Sequence, residues 1–479
     1  MDVIFDYNTS TRKLLLITSC TEEFGRIREH FSVENAAARF ARRYNQFIPR
    51  RKYVISPTGA CDIGIYYLIR KYLIDNQVIC NITITEKLKT ALNIGHDVQS
   101  LYIDFNFSLR DYQTDVLTSA LKTGRGTCVL GTGAGKTFTT AALIENFFQL
   151  HKRRELFKCI VIVPDLGLVE QTYNEFLSCG VTFKISKWTG SHKPDLTSNI
   201  IICNIGILQS QFQQNTWVQY VDLLIVDECH KIKPDNKISK IISKIKTQNK
   251  YGFTGTLPED QIDKWSVIGK FGPVIYEKTS FDLRIEDFLV NVEVKILDIQ
   301  YKDIPPKVTD NAYRNELQFI YNNSFRNDLI KSLCSKLNNN TLILVNHIEH
   351  GEIILNKLSS ISEKQVFFIR GEIDVEEREK IKQIMEESND VICIAISAIF
   401  STGVNIKNLH NIIFAAGGKS FIRTVQSIGR GLRKHNTKDK LIIIDLADKL
   451  QYGINHSVKR QSIYTKEKIN FNIKSILQP

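Results

Sequence analysis

Apolar positions fall in two distinct rhythms along the chain. Over residues 1 to about 105 the apolar runs are short and alternating, as in "RKLLLITSC" at 12–20 and "QVICNITIT" at 77–85. Alternation of this kind reads as half-buried strands, and segments 21–30 and 60–75 suit helices between them. The prediction is a small α+β domain over 1–105. From about residue 106 the runs become continuous and β-branched: "TCVL" (127–130), "KCIVIVP" (158–164), "NIIICN" (199–204), "DLLIVD" (222–227) and "YGFTG" (251–255). Strands covered on both faces read this way, and helical stretches such as 137–150 separate them. That predicts a doubly wound α/β domain over 106–285.

The second rhythm then recurs. After a less regular stretch at about 276–315 come "NTLILVN" (340–346), "QVFFIR" (365–370), "VICIAIS" (391–397), "NIIFAAG" (411–417) and "KLIIIDL" (440–446). A second α/β domain of similar size is expected over 286–450, with a cleft between the pair. Residues 451–479 read as a short basic appendage, helical or irregular. The fold class predicted is α/β, two tandem domains with parallel sheets behind a small α+β domain.

Charge changes this picture only by suggesting partners. The formal net charge of +12 favours polyanions, above all nucleic acid. The basic residues crowd at 39–53, "RFARRYNQFIPRRKY", where Arg39, Arg42, Arg43, Arg50, Arg51 and Lys52 interleave with four aromatic residues and no acid. This stretch can grip phosphates and stack on bases, or form a solvated basic face around a packed hairpin. The ten Cys contain no C-x-x-C pair, which points to reduced thiols in a cytoplasmic protein and away from zinc. Asp2, Asp6 and Arg12 interrupt any amino-terminal signal segment, and no apolar run reaches membrane-spanning length.

The chemistry concentrates at strand ends. "LGTGAGKT" at 130–137 follows a predicted strand and opens a predicted helix. In that setting Gly131, Thr132, Gly133, Ala134 and Gly135 form a phosphate loop whose backbone N–H groups face the anion. Lys136 can reach the outer phosphates of ATP, and Thr137 can hold Mg²⁺. "LLIVDECH" at 223–230 ends a buried strand in two acids, Asp227 for the metal and Glu228 for the attacking water. "TGT" at 254–256 offers two hydroxyls to that acidic pair. In "SLRDYQTDVL" at 108–117, Tyr112 and Gln113 can contact adenine with Arg110 in support. Far downstream, "QSIGRGLRK" at 426–434 sets Arg430 and Arg433 on one helix face, where they can reach across a cleft as arginine fingers.

Taken in order, these segments resemble the superfamily 2 helicases of the DExH kind. The set is the Gln-containing segment, the phosphate loop, "VPDLGLVEQ" at 163–171, the "DECH" box, "TGT", "LVNHIEHG" at 344–351, "SAIFSTGVNI" at 397–406 and the arginine segment. The resemblance implies two RecA-like motor domains, with ATP between them and nucleic acid across their tops. It also implies that Gly403 and Asn405 lie near the nucleotide, with Ser401 and Thr402 near it or near the bound strand. The small first domain, the run "FSTGVNIKNLHNIIFAAGGKS" at 400–420 and "IGRGLRKH" at 428–435 are similar to the recombination and repair helicases of large tailed phages. That similarity implies a DNA motor for forks, Holliday junctions and displacement loops. It would act as a monomer or weak oligomer in the infected bacterial cytoplasm, in contact with recombination proteins. An RNA helicase or transcript-displacing motor on the same core, or an ATP-switched clamp, are the alternative readings.

Overall fold

Alternation along the first strands builds the amino-terminal domain. In the computed structural model, β1 (Asp2–Asn8) turns Val3, Phe5 and Tyr7 inward, and β2 (Lys13–Thr18) does the same with Leu14 and Leu16. With β3 (Ser32–Glu34), β4 (Arg51–Tyr53), β5 (Ala60–Cys61) and β6 (Asn81–Ile84) following, the sheet order is β5-β2-β1-β6, while β3 and β4 form a separate antiparallel pair. β1 is antiparallel to β2 and parallel to β6. The structure describes residues 1–35, 38, 49–97, 99–234, 236–302, 304, 311–359, 364–371, 375–397, 406–415, 438 and 440–479. These form two compact units, 1–130 with 135–277, and 131–134 with 278–479.

The first unit continues into a seven-stranded sheet. Its strands are β7 (Gly126–Leu130), β8 (Cys159–Val163), β9 (Ile185–Trp188), β10 (Ile200–Asn204), β11 (Leu223–Val226), β12 (Lys250–Thr254) and β13 (Val274–Lys278), in the order β13-β7-β12-β11-β8-β10-β9. Every residue of β7, β8, β11 and β12 is buried, which is why their sequences run apolar without alternation. Parallel pairing joins β7 to β12, β12 to β11, β11 to β8, and β10 to both β8 and β9.

The amino-terminal domain is fused to this sheet rather than tethered to it. Trp265, on helix Gln261–Phe271, lies in the same apolar cluster as Val3, Phe5 and Ile69. Gly64 N–H donates to the Gly269 carbonyl at 3.1 Å, and a Cβ on Gly64 would sit 1.9 Å from the Ile268 carbonyl oxygen. Only glycine permits that approach. Asp62 pairs with Lys13 and, at 2.7 Å, with Lys270. Burial alone would raise the Asp62 pKa, but Lys270 and Lys13 outweigh it and hold the carboxyl at about 2. Arg125, 1% exposed, donates to the carbonyls of Phe271 and Lys270 and to Gln248, whose amide in turn donates to the Tyr7 hydroxyl.

The second unit holds β14 (Asn291–Gln300), β15 (Thr341–Val345), β16 (Val366–Ile369), β17 (Ile392–Ile396), β18 (Asn411–Phe414), β19 (Lys440–Asp448) and β20 (Asn470–Leu477). Their order is β16-β17-β15-β18-β19-β14-β20, with all six pairs parallel. Both α/β domains are thus RecA-like parallel sheets behind a small α+β domain. The first sheet adds β9 and β13 to the strands read from sequence, and in the second unit two stretches differ from that reading. The less regular region contains β14, ten residues long and flanked on both sides. The carboxy-terminal stretch forms helix Gln451–Lys466 and then β20, the edge strand pairing with β14. β20 is mostly exposed on both faces, so Asn470, Asn472 and Lys474 sit among its apolar residues and mask the strand pattern. Among the described residues no helix is long and apolar enough to cross a membrane.

Candidate nucleotide site

Three adjacent strands, β7, β12 and β11, end in the segments singled out by sequence. β7 stops at Leu130 and helix Lys136–Leu150 starts six residues later. The loop between them turns through Gly133 at φ +86° and Gly135 at φ +71°, a backbone region that side chains resist. A Cβ on Gly135 would lie 2.7 Å from the Gln113 amide nitrogen. Ala134 N–H donates to the Gly131 carbonyl at 3.1 Å, and the Lys136 amine folds back to the Leu130 carbonyl at 3.3 Å. Thr137 is half-buried in the first helical turn. A glycine-walled loop at a helix start, with an amine over it, fits a phosphate group.

Asp227 N–H donates to the Ile162 carbonyl at 2.9 Å, which extends the ladder of β11 on β8 by one residue. Its carboxylate accepts the Glu228 N–H at 2.9 Å. Glu228 adopts φ +48°, ψ +47°, a left-handed conformation that a non-glycine residue holds only under constraint. His230 supplies part of that constraint: its Nδ1 lies 3.1 Å from Glu228 Oε2 and 2.8 Å from the Thr254 hydroxyl. The Thr254 hydroxyl donates to the Thr256 carbonyl at 2.8 Å, so Nδ1 carries the proton and donates to the other two. In the structure Thr254, at the buried end of β12, reaches Glu228 through His230. Cys229 is fully buried against Gly252, where a Cβ would come within 2.8 Å of its sulfur, and burial pushes its thiol pKa well up.

The Gln-containing segment caps helix Asp111–Thr123. The Gln113 side-chain carbonyl accepts the Arg110 N–H at 3.0 Å, and its amide reaches the Gly135 carbonyl at 3.5 Å. Arg110 donates to the Tyr112 hydroxyl at 2.9 Å, and Tyr112 and Gln113 are both 4% exposed. Gln113 therefore ties the helix start to the phosphate loop. Sequence reasoning missed the aromatic row beside it. Phe107 meets Phe138 edge-on at 4.9 Å and stacks on Phe105 at 5.2 Å, with Tyr102 5.6 Å beyond. The signal was present as ring–polar alternation in "YIDFNF" at 102–107.

Several expected site residues lie outside the described residues: Arg39, Arg42, Arg43, Ser401, Thr402, Gly403, Asn405, Arg430 and Arg433. Of the basic stretch, Arg50 and Lys52 are exposed. Arg51 pairs with Glu29 at 2.8 Å and donates to the Ser32 hydroxyl at 2.8 Å, so it serves the packing of its own domain. Tyr53 also belongs there, donating to Glu29 with the Arg28 guanidinium 4.0 Å from its ring centre.

The model of the type III restriction enzyme res subunit matches residues 106–259, and that of the helicase conserved C-terminal domain matches 325–435, together more than half of the chain. Its core is of the superfamily 2 helicase type. Its core is related to that of the UvsW branch-migration helicases. It is 28% identical over 392 residues to the ATP-dependent DNA helicase uvsW of Enterobacteria phage T4, covering 76% of each chain. The DNA 3'-5' translocase XPB2 of Sulfurisphaera tokodaii is 23% identical, over 79% of this chain and 88% of that one. Among solved structures, the DNA-bound type ISP restriction-modification enzyme LlaBIII shares the fold at 15% identity and a TM-score of 0.58, over 85% of this chain and 34% of that one. At this level the helicase is an ATP-driven motor acting on nucleic acid, and its motifs imply dependence on a nucleotide.

Proposed function

We propose that this helicase couples ATP hydrolysis to the remodelling of branched DNA: forks, Holliday junctions and displacement loops. The observation that carries the reading is the convergence of phosphate loop, acidic pair and Thr254 at the ends of three adjacent strands. In this mechanism Lys136 and the N–H groups of Thr132, Gly133 and Gly135 hold the outer phosphates. Thr137 and Asp227 would hold Mg²⁺, which supplies charge neutralisation for phosphoryl transfer. Glu228, held by His230, takes the proton of the attacking water. Arg430 and Arg433 complete the site from the second motor domain, with Gly403 and Asn405 beside them. Tyr112, Gln113 and Arg110 serve the adenine side. Arg39, Arg42, Arg43, Arg50 and Lys52 engage the DNA backbone, which needs no base readout.

The relative from phage T4 is named as an ATP-dependent DNA helicase, which favours DNA and the cytoplasm of an infected bacterium as the setting. The test is ATPase stimulation by forked DNA, single-stranded DNA and RNA. Forked DNA should stimulate most. Stimulation by RNA alone would overturn the reading in favour of an RNA motor. Replacing Arg42, Arg43, Arg50 and Lys52 with Ala should leave basal ATPase intact. It should also lower the salt slope of junction binding by roughly 0.9 for each phosphate no longer engaged. An unchanged slope and affinity would remove this stretch from the DNA interface.

A further inference from the structure

Helix Ile65–Asp75 of the amino-terminal domain presents two neighbouring rows at four-residue spacing, Tyr66–Arg70–Ile74 and Tyr67–Lys71–Asp75. Each ring is followed one turn later by a cation. Both rows line a cavity of about 460 Å³, and Leu92 lines it too. Tyr66 belongs to the domain core, edge-on to Phe5 at 5.1 Å. Tyr67 stands edge-on to Tyr66 at 5.3 Å and is half-buried. Arg70 is half-buried too. One of its terminal nitrogens reaches the Tyr66 hydroxyl at 3.3 Å, while its Nε is shielded from solvent and has no acceptor among the described residues. A shielded donor without a partner is costly, and an anionic oxygen would relieve it. Lys71 is exposed, and Ile74 is 65% exposed. Among the described residues Asp75 is the one acid lining the cavity, a full turn beyond Lys71, so an anion is drawn toward the Arg70–Lys71 end.

A ring, an apolar wall and two cations with an unmade donor match the chemistry of a nucleotide within a strand. A paired base keeps its faces covered by its neighbours in the duplex and cannot use such a cavity. We propose that this cavity takes one unpaired nucleotide of a nucleic acid strand, the base against Tyr67 and Leu92, the phosphate on Arg70 and Lys71. The site rests on the reading that the chain acts on nucleic acid, and it is separate from the phosphate loop. Its placement suits a branch point, where unpaired nucleotides occur. The residue just before this helix, Gly64, hydrogen-bonds to Gly269, and helix Gln261–Phe271 follows closely on the Thr254–Thr256 turn.

The test uses the full chain with a fluorescent oligo-dT strand, the matching oligo-U strand and a blunt duplex, plus dTMP as competitor. Tyr67→Leu and Lys71→Glu should each weaken binding of both single strands about tenfold, because stacking and phosphate contacts are shared by DNA and RNA. Duplex affinity and basal ATPase should not move, and Tyr67→Phe should bind like the parent. Lys71→Ala should reduce the single-strand salt slope by about 0.7. Lys71 is exposed, so Lys71→Glu carries the test even if Tyr67→Leu fails to fold. Parent-like binding of both single strands by folded Lys71→Glu would overturn the proposal, as would an equal loss on duplex. Displacement of the strand by micromolar dTMP would overturn it in favour of a free-nucleotide site. A parent that binds no nucleic acid would defeat the functional reading along with this one.

Discussion

Both seven-stranded sheets carry acids at or near the ends of buried strands, and they use them in opposite ways. In the first, Asp227 and Glu228 lie half-buried at the end of β11, where they meet a backbone N–H and the His230 ring. In the second, the acids of β19 are sealed. Asp448 takes two bonds from Arg326, at 2.7 and 3.1 Å, and one from Tyr301 at 2.6 Å. Asp445 is held by Arg460 through both carboxylate oxygens at 2.8 Å, and by Tyr464 at 2.9 Å. All four charged residues are at most 3% exposed. Carboxylates sealed away from solvent beside an arginine are closed to metal and water, so this second set ties helices Ser324–Lys336 and Gln451–Lys466 to β19. One architecture thus carries a half-buried acidic edge and a sealed one.

The largest effect should come from the half-buried acidic edge. Glu228→Gln should lower nucleic-acid-stimulated ATPase by about 10²–10⁴-fold while leaving the melting temperature near that of the parent. Turnover near the parent rate would show that Glu228 is not the base. The sealed edge should respond the other way. Asp448→Asn leaves Arg326 buried without its charge partner and should cost about 3–5 kcal/mol of stability, read by denaturant unfolding. A loss below about 1 kcal/mol would mean that the pair is replaceable by its hydrogen bonds alone.

The smallest effect lies at the domain junction, between these extremes. Asp62 is held at about 2 by Lys270 and Lys13, below its ordinary value near 4. A depressed carboxyl stabilises the folded state above its unfolded pKa, and the contribution is lost as pH falls through the folded one. Asp62→Asn should therefore cost about 2 kcal/mol at neutral pH and flatten the acid limb of stability between about pH 4 and pH 2. A parent-like acid limb in the variant would assign that limb to other groups.

The strands, the phosphate loop and the acidic pair were legible because their signals are local. A strand buried on both faces must be apolar throughout, and a loop that crowds its backbone onto phosphate needs glycine at particular positions. The helix at 21–30 was legible with its bounds, whereas the segment read as helical over 60–75 holds the strand Ala60–Cys61 before helix Ile65–Asp75. β20 was not legible, because an edge strand exposed on both faces needs no apolar pattern; only its neighbour β14 makes it a strand.

The sequence by itself determined the buried parallel strands, the order of the motifs and the residue types that stand at the ends of β7 and β11, each written within a few consecutive residues. The tertiary structure alone decided which charges pair. Arg51 looked like part of a basic patch until Glu29 took it, and nothing near Asp62 in the chain announces Lys270. It also decided that the small first domain shares its core with Trp265. Charge pairing and core sharing join residues that the chain holds far apart. Their partners are selected by the packing of whole elements, which no local pattern records.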